Sequence, residues 1–562
     1  MVHLAVNVKL PFLWGKAVFK KDSWAHINLI VGPNGSGKTL LAESIAAQFA
    51  GNGWSVKFLR AEGDRREAEA EAFKVLQTNA EVRNKIQTVL SGMFGKSIVF
   101  KQQRTGGNAV PGGNAVPGGN AVPGGNAVPG GNAVPGGHTV PGGHAVPGGT
   151  YVPMVINRAW NVEYDLRAVE CHGFKEIITL LVALYANTGN TCLIFDEPEL
   201  HLHPQFQQFF AEELRRVSKR HPRRMYFLIT HSPFFIDLRF PEELTGVIVC
   251  HTNREPTHID SLDDRDAALF RRFLPRFNSY HKQFFFSDNQ IFVEGYTDQQ
   301  LFTNLLPYIR TEHGAAGTGI IDVGGKDELG VFCKVCALLG TNSRIITDLD
   351  SLFSGKLRDV FCADRRAARW LSRQHSKQEP LFRALFTEKE LARPMTLERL
   401  ILRLERSLGT IGRELCKEGA VVPQALQPLA EKLCALQQKH GNAENIDTFK
   451  TVVLQGLMQC PEDVREFLTP GTAEKLPAIR SLFTVILAGA AAAGVFILPK
   501  GCIEHYYTRT QVQYMPVAAK DRLFHLELEN LLNSPPETIR RSYAELIAIL
   551  EQACGGRRRS LI

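Results

Sequence analysis

Short apolar runs alternate with longer amphipathic stretches through the first half of the chain. The runs predict buried strands at 24–31 (WAHINLIV), 191–196 (TCLIFD) and 225–230 (MYFLIT). Helical patterns between the runs predict helices at 39–50, 64–92, 172–187 and 205–220. Strands and helices that alternate in this order are typical of a parallel α/β sheet.

A second α/β pattern begins near Asn289. Its apolar runs predict strands at 290–293, 318–323 and 344–348, and a last strand at 495–498. Residues 360–480 have a mostly helical pattern, so the helices form an insertion within the second unit. The predicted domains are 1–285, then 286–359 together with 485–515, a helical insertion at 360–484, and a C-terminal helical segment at 516–562.

A tract of eight tandem hexapeptides occupies residues 106–153, beginning with five copies of GGNAVP. Each unit carries two glycines and one proline, a composition that opposes both a helix and a central strand. We therefore predict a flexible or loosely turned insert in the first domain.

Residues 481–499 (SLFTVILAGAAAAGVFILP) carry no charge and nearly reach the length that spans a membrane. The pattern divides into an alanine-rich helix, a break at Gly494 and a short strand. Such a mixture cannot cross lipid as one element. We therefore expect no membrane association.

Composition adds mild constraints. The formal net charge of +8 fits a polyanionic partner without requiring one. The eleven cysteines have no framework spacing, which indicates a reducing compartment. The first residues lack the charged head and apolar run of a signal peptide, so we expect a soluble, cytoplasmic protein.

A complete P-loop follows the first predicted strand. Its glycines let backbone N–H groups surround phosphates at a helix N-terminus. Lys38 is expected to reach the β- and γ-phosphates of ATP, and the Thr39 hydroxyl to join Mg²⁺. The predicted nucleotide-binding residues are Gly32, Pro33, Asn34, Gly35, Ser36, Gly37, Lys38 and Thr39.

Two acids and a histidine follow the next two strands. Asp196 ends an apolar strand and is expected to hold the water shell of Mg²⁺. Glu197 is the predicted base that orients or deprotonates the attacking water. His231 follows the strand at 225–230, a position from which an imidazole can contact the γ-phosphate.

Acidic residues also end the strands of the second unit. Glu294 follows one strand, with Asp298 in the first turn of the next helix, and Asp348 and Asp350 follow another. In extended chain, residues i and i+2 point to one face, so Asp348 and Asp350 are expected to share a metal. These hard oxygen ligands suit Mg²⁺ or Mn²⁺.

The first domain resembles the ABC ATPase superfamily, in particular its SMC/RecF-like branch, through DEPELHLHP at 196–204 and THSPFF at 230–235. The resemblance implies that Glu199–His203 form the D-loop at a dimer seam, so His201 and His203 are expected to be structural. The signature loop would lie at 171–176, where the usual Ser-Gly-Gly is reduced to one glycine. A homodimer or higher homo-oligomer through ABC domains is implied.

The second unit resembles the TOPRIM domain of topoisomerases, primases and OLD-family (overcoming lysogenization defect) nucleases. The strings at 291–298 (IFVEGYTD) and 344–350 (RIITDLD), and the glycine turn at 320–326 (IIDVGGK), carry the resemblance. It extends to the late strand near 496–504, where the family places an acid and a lysine. The resemblance therefore implies Glu504 as a further metal ligand and Lys500 as a catalytic residue.

The fold class expected from both resemblances is α/β: an ABC-type P-loop ATPase domain plus a TOPRIM domain with a large helical insertion. The order ATPase then TOPRIM resembles the OLD family, which implies an ATP-controlled, metal-dependent endonuclease in antiphage defence. DNA is favoured over RNA as the substrate. The resemblance also allows a partner protein encoded in the same defence operon. The alternatives are a DNA-repair ATPase with a non-cleaving TOPRIM module and a TOPRIM RNase acting on tRNA.

Overall fold

The computed structural model of this chain describes residues 2–61, 65–102, 151–187, 189–252, 254–279, 281–287, 289–309, 318–353, 355–417, 422–438 and 443–555. Most of the hexapeptide tract, residues 106–150, lies outside the described residues. The chain forms two compact units. One comprises Met1–Ala61, Gly189–Glu199 and Gln207–Ile562, and the other comprises Glu62–Thr188 and Leu200–Phe206.

The described strands are β1 (Val2–Val8), β2 (Phe19–Trp24), β3 (Ile27–Val31), β4 (Ser55–Leu59), β5 (Lys96–Gln102), β6 (Tyr151–Asn157), β7 (Val162–Asp165), β8 (Thr191–Asp196), β9 (Arg224–Ile229), β10 (Val247–Val249), β11 (Thr257–His258), β12 (Asn289–Val293), β13 (Thr318–Asp322), β14 (Asn342–Thr347) and β15 (Val495–Ile497).

The described α-helices are α1 (Pro11–Trp14), α2 (Lys38–Gly51), α3 (Arg65–Thr78), α4 (Ala80–Phe94), α5 (Leu166–Val169), α6 (His172–Ala186), α7 (Pro204–Arg220), α8 (Asp264–Phe273), α9 (Tyr296–Leu305), α10 (Lys326–Leu338), α11 (Lys356–Ala363), α12 (Arg365–Leu385), α13 (Glu388–Leu391), α14 (Leu397–Leu415), α15 (Gln427–Gln438), α16 (Ala443–Gln459), α17 (Pro461–Phe467), α18 (Pro470–Ala473), α19 (Leu476–Ala492), α20 (Lys520–Asn533), α21 (Pro536–Ser542) and α22 (Ala544–Ala553).

The first sheet has the order β11-β10-β3-β9-β8-β4, and only the pairing of β10 with β11 is antiparallel among its described strands. The rings of Trp24, Phe49 and Phe227 pack edge to face beneath it, with centroids 5.5–5.8 Å apart. The strand predicted at 24–31 is in fact two strands. A turn separates them, held by a hydrogen bond from Asn28 Nδ2 to Ala25 O.

The second sheet has the order β13-β12-β14-β15, and all of its described strands are parallel. Their carboxyl ends therefore share one edge, the usual place for a ligand in an open α/β sheet. Helices α20, α21 and α22 bury Phe524, Tyr543 and Leu550 in the same hydrophobic core as Ile291 of β12. The boundary that we predicted at 515 thus falls within one packed core.

Helices α11–α19 lie between β14 and β15 in the chain, so the predicted helical insertion in an α/β fold is confirmed. Helix α19 packs against α12 and α14. Within the described residues, one stretch, Pro470–Ala492, is long and apolar enough to cross a membrane. Its end leads through Gly494 (φ 91°) straight into β15, as expected for a helix that packs in a protein core.

The first and second sheets lie in the same unit and are linked by side-chain contacts. Phe273 of α8 packs edge to face on Phe332 of α10, with ring centroids 4.8 Å apart. The Thr257 hydroxyl of β11 donates a hydrogen bond to the carbonyl of Leu339. Contacts of α8 and β11 with α10 and Leu339 therefore link the two sheets.

The other unit contains α3, α4 and α6 and an antiparallel sheet of order β5-β6-β7. The helix predicted at 64–92 is broken at Asn79, whose side chain caps α4 by accepting from Val82 N. Tyr151–Pro153, assigned to the repeat tract, form the start of β6. Pro153 is tolerated there because β6 pairs only with β5 at that position.

Candidate functional site

The P-loop connects β3 to α2. Gly35 and Gly37 adopt left-handed backbone conformations, with φ of 75° and 82°. Gly32 lies against the main-chain carbonyl of Cys250, so a side chain at Gly32 would collide with backbone. Glycine is thus required for the loop to turn into the N-terminus of α2, where backbone N–H groups bind phosphate.

Lys38 folds back onto this loop. Its ammonium donates to Gly32 O at 3.2 Å and to Pro33 O at 2.9 Å. Burial lowers the pKa of Lys38, and nearby anionic groups oppose that effect. The ammonium is therefore held at the cradle that we predicted to bind the phosphates of ATP.

Thr39 and Asp196 meet across the sheet. The Thr39 hydroxyl lies 3.3 Å from Asp196 Oδ2. A hydroxyl and a carboxylate at the carboxyl edge of β8 are suitable oxygen ligands for Mg²⁺ beside a triphosphate. The two residues predicted to hold that ion are therefore together.

Glu197 has a left-handed backbone conformation, with φ of 47°, and its N–H donates to Ile229 O at 2.8 Å. A non-glycine residue in this conformation is held there by its surroundings and is common at functional sites. The strained turn thus fixes the predicted base at the end of β8.

Glu199 connects the segment after β8 to the segment after β9. Its carboxylate accepts from the Thr230 hydroxyl at 2.9 Å and from the His231 N–H at 2.6 Å. Burial raises the pKa of Glu199. Burial, followed by the charge of Lys38, lowers the pKa of His231 to about 4. His231 is therefore a neutral imidazole at pH 7, able to donate one N–H to a phosphate oxygen.

The predicted signature and D-loop segments touch each other within one chain. Gly173 lies against the carbonyl of His201, and the rings of His172 and His201 are 5.7 Å apart. Among the described residues, the cluster able to hold a metal includes neither His201 nor His203. The structural role of His201 and His203 stays a prediction.

The acidic cluster lies at the carboxyl edge of the second sheet. Glu294 follows β12, and Asp348 and Asp350 follow β14. Ligand oxygens of these three residues lie within 4.8 Å of one another. Asp350 is in a 3-10 helix (Leu349–Leu352), so the extended geometry expected for 348–350 is wrong. The short helical turn nevertheless brings both aspartates to Glu294.

Glu294 is held in place by three donors. Its Oε1 accepts from the Thr347 hydroxyl at 2.5 Å, from the Asp348 N–H at 3.0 Å and from the Ser351 hydroxyl at 3.4 Å. Hydrogen bonds of this kind fix the direction in which the carboxylate points. A ligand so positioned fits a metal site.

Negative charge is crowded around these ligands. Burial raises the pKa of Asp298 to about 7, with further contributions from Glu294 and Glu504. Burial, followed by the charges of Glu294 and Asp298, raises the pKa of Asp348 well above its ordinary value. Partly buried carboxylates at this density are stabilised as anions by a divalent cation, and an all-oxygen donor set suits Mg²⁺ or Mn²⁺. The residues therefore fit the predicted metal.

Glu504 lies in a 3-10 helix after β15 and is 1% exposed. Its Oε1 is 3.2 Å from Lys520 Nζ at the start of α20. Burial opposes the charge on Lys520, but Asp348 and Glu504 outweigh burial and raise its pKa. Lys520 could not be predicted from the sequence, because it belongs to no motif and follows the last strand only through an irregular segment.

Lys500, predicted to be catalytic, is placed differently. Its ammonium pairs with Glu545 Oε2 at 2.6 Å and lies 4.8 Å from the Tyr506 ring centroid. The structure thus joins Lys520 to the acidic cluster and pairs Lys500 with an acid of α22.

Comparison with known families gives two matches. Residues 285–350 match the family described as overcoming lysogenization defect protein-like, TOPRIM domain. Residues 172–237 match an AAA domain family whose description names the AbiEii toxin of type IV toxin–antitoxin systems. The first match covers four of the predicted metal ligands, and the second covers Asp196, Glu197 and His231. A search of curated proteins found no match.

Proposed function

We propose that this chain, whose ATPase and OLD-like TOPRIM domains match the ATPase–TOPRIM architecture of the OLD type, is an ATP-controlled, metal-dependent endonuclease. The antiphage role that the OLD resemblance implies belongs to the same proposal. The observation that carries it is the convergence of Glu294, Asp348 and Asp350 within 4.8 Å at one sheet edge.

The acidic cluster can support phosphodiester hydrolysis. Glu294, Asp348 and Asp350 would hold one divalent cation, and Asp298 and Glu504 add carboxylates whose charges act on this cluster. A divalent cation in such a site supplies Lewis-acid stabilisation to a phosphate under attack by water. Two cations about 4 Å apart would need four or more carboxylates, and this edge offers five.

The complete set of acids favours cleavage over a silent binding module. The Lys520 ammonium balances the charge of Glu504, so the site places acidic residues and a lysine next to each other. A TOPRIM domain that only bound DNA would not need buried carboxylates whose mutual repulsion costs free energy.

Contacts between the nucleotide site and the segment before β12 support control of the acidic cluster by ATP. His231 lies at the nucleotide site, and its ring is 6.1 Å from that of Phe286. Phe286 ends a 3-10 helix (His281–Phe286) shortly before β12, the strand that leads to Glu294. The buried side chain of Gln290 in β12 donates to the carbonyls of Phe284 and Ser287. A change at His231 can therefore reach the strand that carries a metal ligand.

DNA is the favoured substrate, because OLD-like proteins resembling this chain are mostly DNA nucleases. The net charge of +8 supports binding to a phosphate backbone but does not separate DNA from RNA. A homodimer through the ATPase domains belongs to the same proposal, since the D-loop segment at Glu199–His203 resembles that of dimeric ABC ATPases.

The test is incubation of the purified protein with plasmid DNA, linear DNA and tRNA, each with Mg²⁺ or Mn²⁺ and with or without ATP. The proposal expects cleavage of DNA that requires a divalent cation and changes with ATP. Cleavage of tRNA alone would favour the RNase alternative. Binding without cleavage under every condition would favour the DNA-repair alternative.

A further inference from the structure

The glycine turn after β13 places Lys326 beside the acidic cluster. Asp322 of β13 is the register partner of Val293 in β12, so the turn begins next to Glu294. Gly324 and Gly325 have φ of 73° and 137°. The Gly324 N–H donates to Asp322 Oδ1 at 2.7 Å, and Lys326 then begins α10.

The Lys326 ammonium lies 3.1 Å from Asp350 Oδ1. Both side chains are partly exposed, at 23% and 34%, so this pair lies at the mouth of the cluster. Asp350 is one of the three proposed cation ligands. An ammonium and a divalent cation compete for the same carboxylate, because each is stabilised by its negative charge.

The Lys326 ammonium, once displaced from Asp350, lies close to groups that favour an anion. Lys326 is the first residue of α10, a helix of 13 residues whose N-terminal N–H groups favour negative charge. Among the described residues, a side-chain carbon at Gly324 or Gly325 would meet no atom within 4 Å. A phosphate group can therefore approach the turn next to Lys326.

We propose that Lys326 is a substrate-binding residue that exchanges partners. It pairs with Asp350 when the cation is absent, and it contacts a phosphate of the bound nucleic-acid strand when the cation occupies the acidic cluster. This inference rests on the proposed nuclease function and names the residue through which that site recognises its substrate.

The test uses the full chain with Lys326→Ala, Lys326→Arg and a matched control, Lys334→Ala. Lys334 lies on the same helix and pairs with Asp266 at 3.3 Å, away from the acids at the sheet edge. Binding of Mn²⁺ alone is measured by calorimetry. Binding of a short DNA duplex is measured in Ca²⁺, and cleavage kinetics in Mn²⁺ give kcat and KM.

Lys326→Ala is expected to bind Mn²⁺ roughly 2- to 5-fold more tightly, because the competing ammonium is gone. The same variant is expected to bind duplex about 10- to 100-fold more weakly, with the loss expressed mainly in KM. Lys326→Arg should restore duplex binding, because it keeps the positive charge, and Lys334→Ala should match wild type.

Weaker Mn²⁺ binding in Lys326→Ala would overturn the exchange, because Lys326 would then only position Asp350. Unchanged duplex binding would overturn it as well. In either case the proposed nuclease stands if the wild type cleaves. If the wild type neither binds nor cleaves nucleic acid, both the nuclease proposal and this inference fail.

Discussion

The rings of His231 and Phe286 lie 6.1 Å apart, centroid to centroid, at an interplanar angle of 42°. His231 follows β9 at the nucleotide site, and Phe286 precedes β12. This contact lies between the proposed nucleotide site and the strand that leads to Glu294. Under the proposed function, it is the route by which ATP alters the acidic cluster.

Phe286→Ala should uncouple the two activities. Removing the ring leaves the P-loop and the acids in place, so ATP hydrolysis should stay within about twofold of wild type. The effect of ATP on cleavage should fall by about fivefold or more. The measurement is the ratio of cleavage rates with and without ATP. Phe240→Ala, which removes an exposed ring, is the control, and an equal loss in both variants would refute the route.

Lys38→Ala should abolish ATP hydrolysis, because the β- and γ-phosphates lose the ammonium now held by Gly32 O and Pro33 O. Lys20→Ala removes an exposed charge of the same kind and should hydrolyse ATP normally. The measurement is steady-state phosphate release.

Glu197→Gln should bind ATP yet turn over slowly, because the amide cannot accept the proton of the attacking water. The trapped state is expected to be a closed dimer, detectable by size-exclusion chromatography with ATP. Normal turnover in this variant would remove the assignment of Glu197 as the base.

His231 should make stability depend on pH. Its pKa falls from 6.5 to about 4 on folding, so between these values the unfolded chain binds a proton that the folded chain does not. The contribution of His231 to the free energy of unfolding is therefore fully present above pH 6.5 and is lost as pH falls toward 4. His231→Asn has no titrating group at this position. Between pH 7 and pH 5 its free energy of unfolding should fall by on the order of 1 kcal/mol less than that of wild type, a modest difference because solvent screens this half-buried ring. Urea unfolding of both proteins tests this, and parallel losses would contradict it.

Much of the fold could be predicted from sequence, because the buried strands of a parallel sheet are short apolar runs with sharp ends. The runs at 191–196 and 225–230 correspond closely to β8 and β9. The break between β2 and β3 was missed, because the turn at Ala25 depends on a hydrogen bond from Asn28 and not on glycine or proline.

The acidic cluster could be anticipated because each acid ends an apolar run. The lysines around it could not be assigned in the same way. Lys500 lies closer in sequence to the late strand, but it pairs with Glu545, whereas Lys520 reaches Glu504 from α20. Which of two lysines reaches a carboxylate depends on how α20 and α22 pack into the core, and no local pattern encodes that packing.

Deleting residues 112–147, six whole repeats, should leave ATP hydrolysis largely intact. Gln102 and Tyr151 are register partners in β5 and β6, so the ends of the intervening segment are already adjacent. Residues 103–111 and 148–150 remain to join them, and a shorter loop costs less entropy to close. The measurement is ATP turnover and solubility of the deletion variant. An insoluble or inactive protein would mean that the tract is structural.

The most direct test of the account compares wild type with Asp350→Ala on DNA and tRNA side by side, with ATP hydrolysis followed in the same samples. Asp359→Ala, which removes an exposed acid of α11, is the control. The account predicts that Asp350→Ala eliminates metal-dependent cleavage, because the cluster loses a charged ligand, while ATP hydrolysis stays near normal. Equal cleavage by wild type and Asp350→Ala would contradict the account, since the nuclease site would then lie elsewhere.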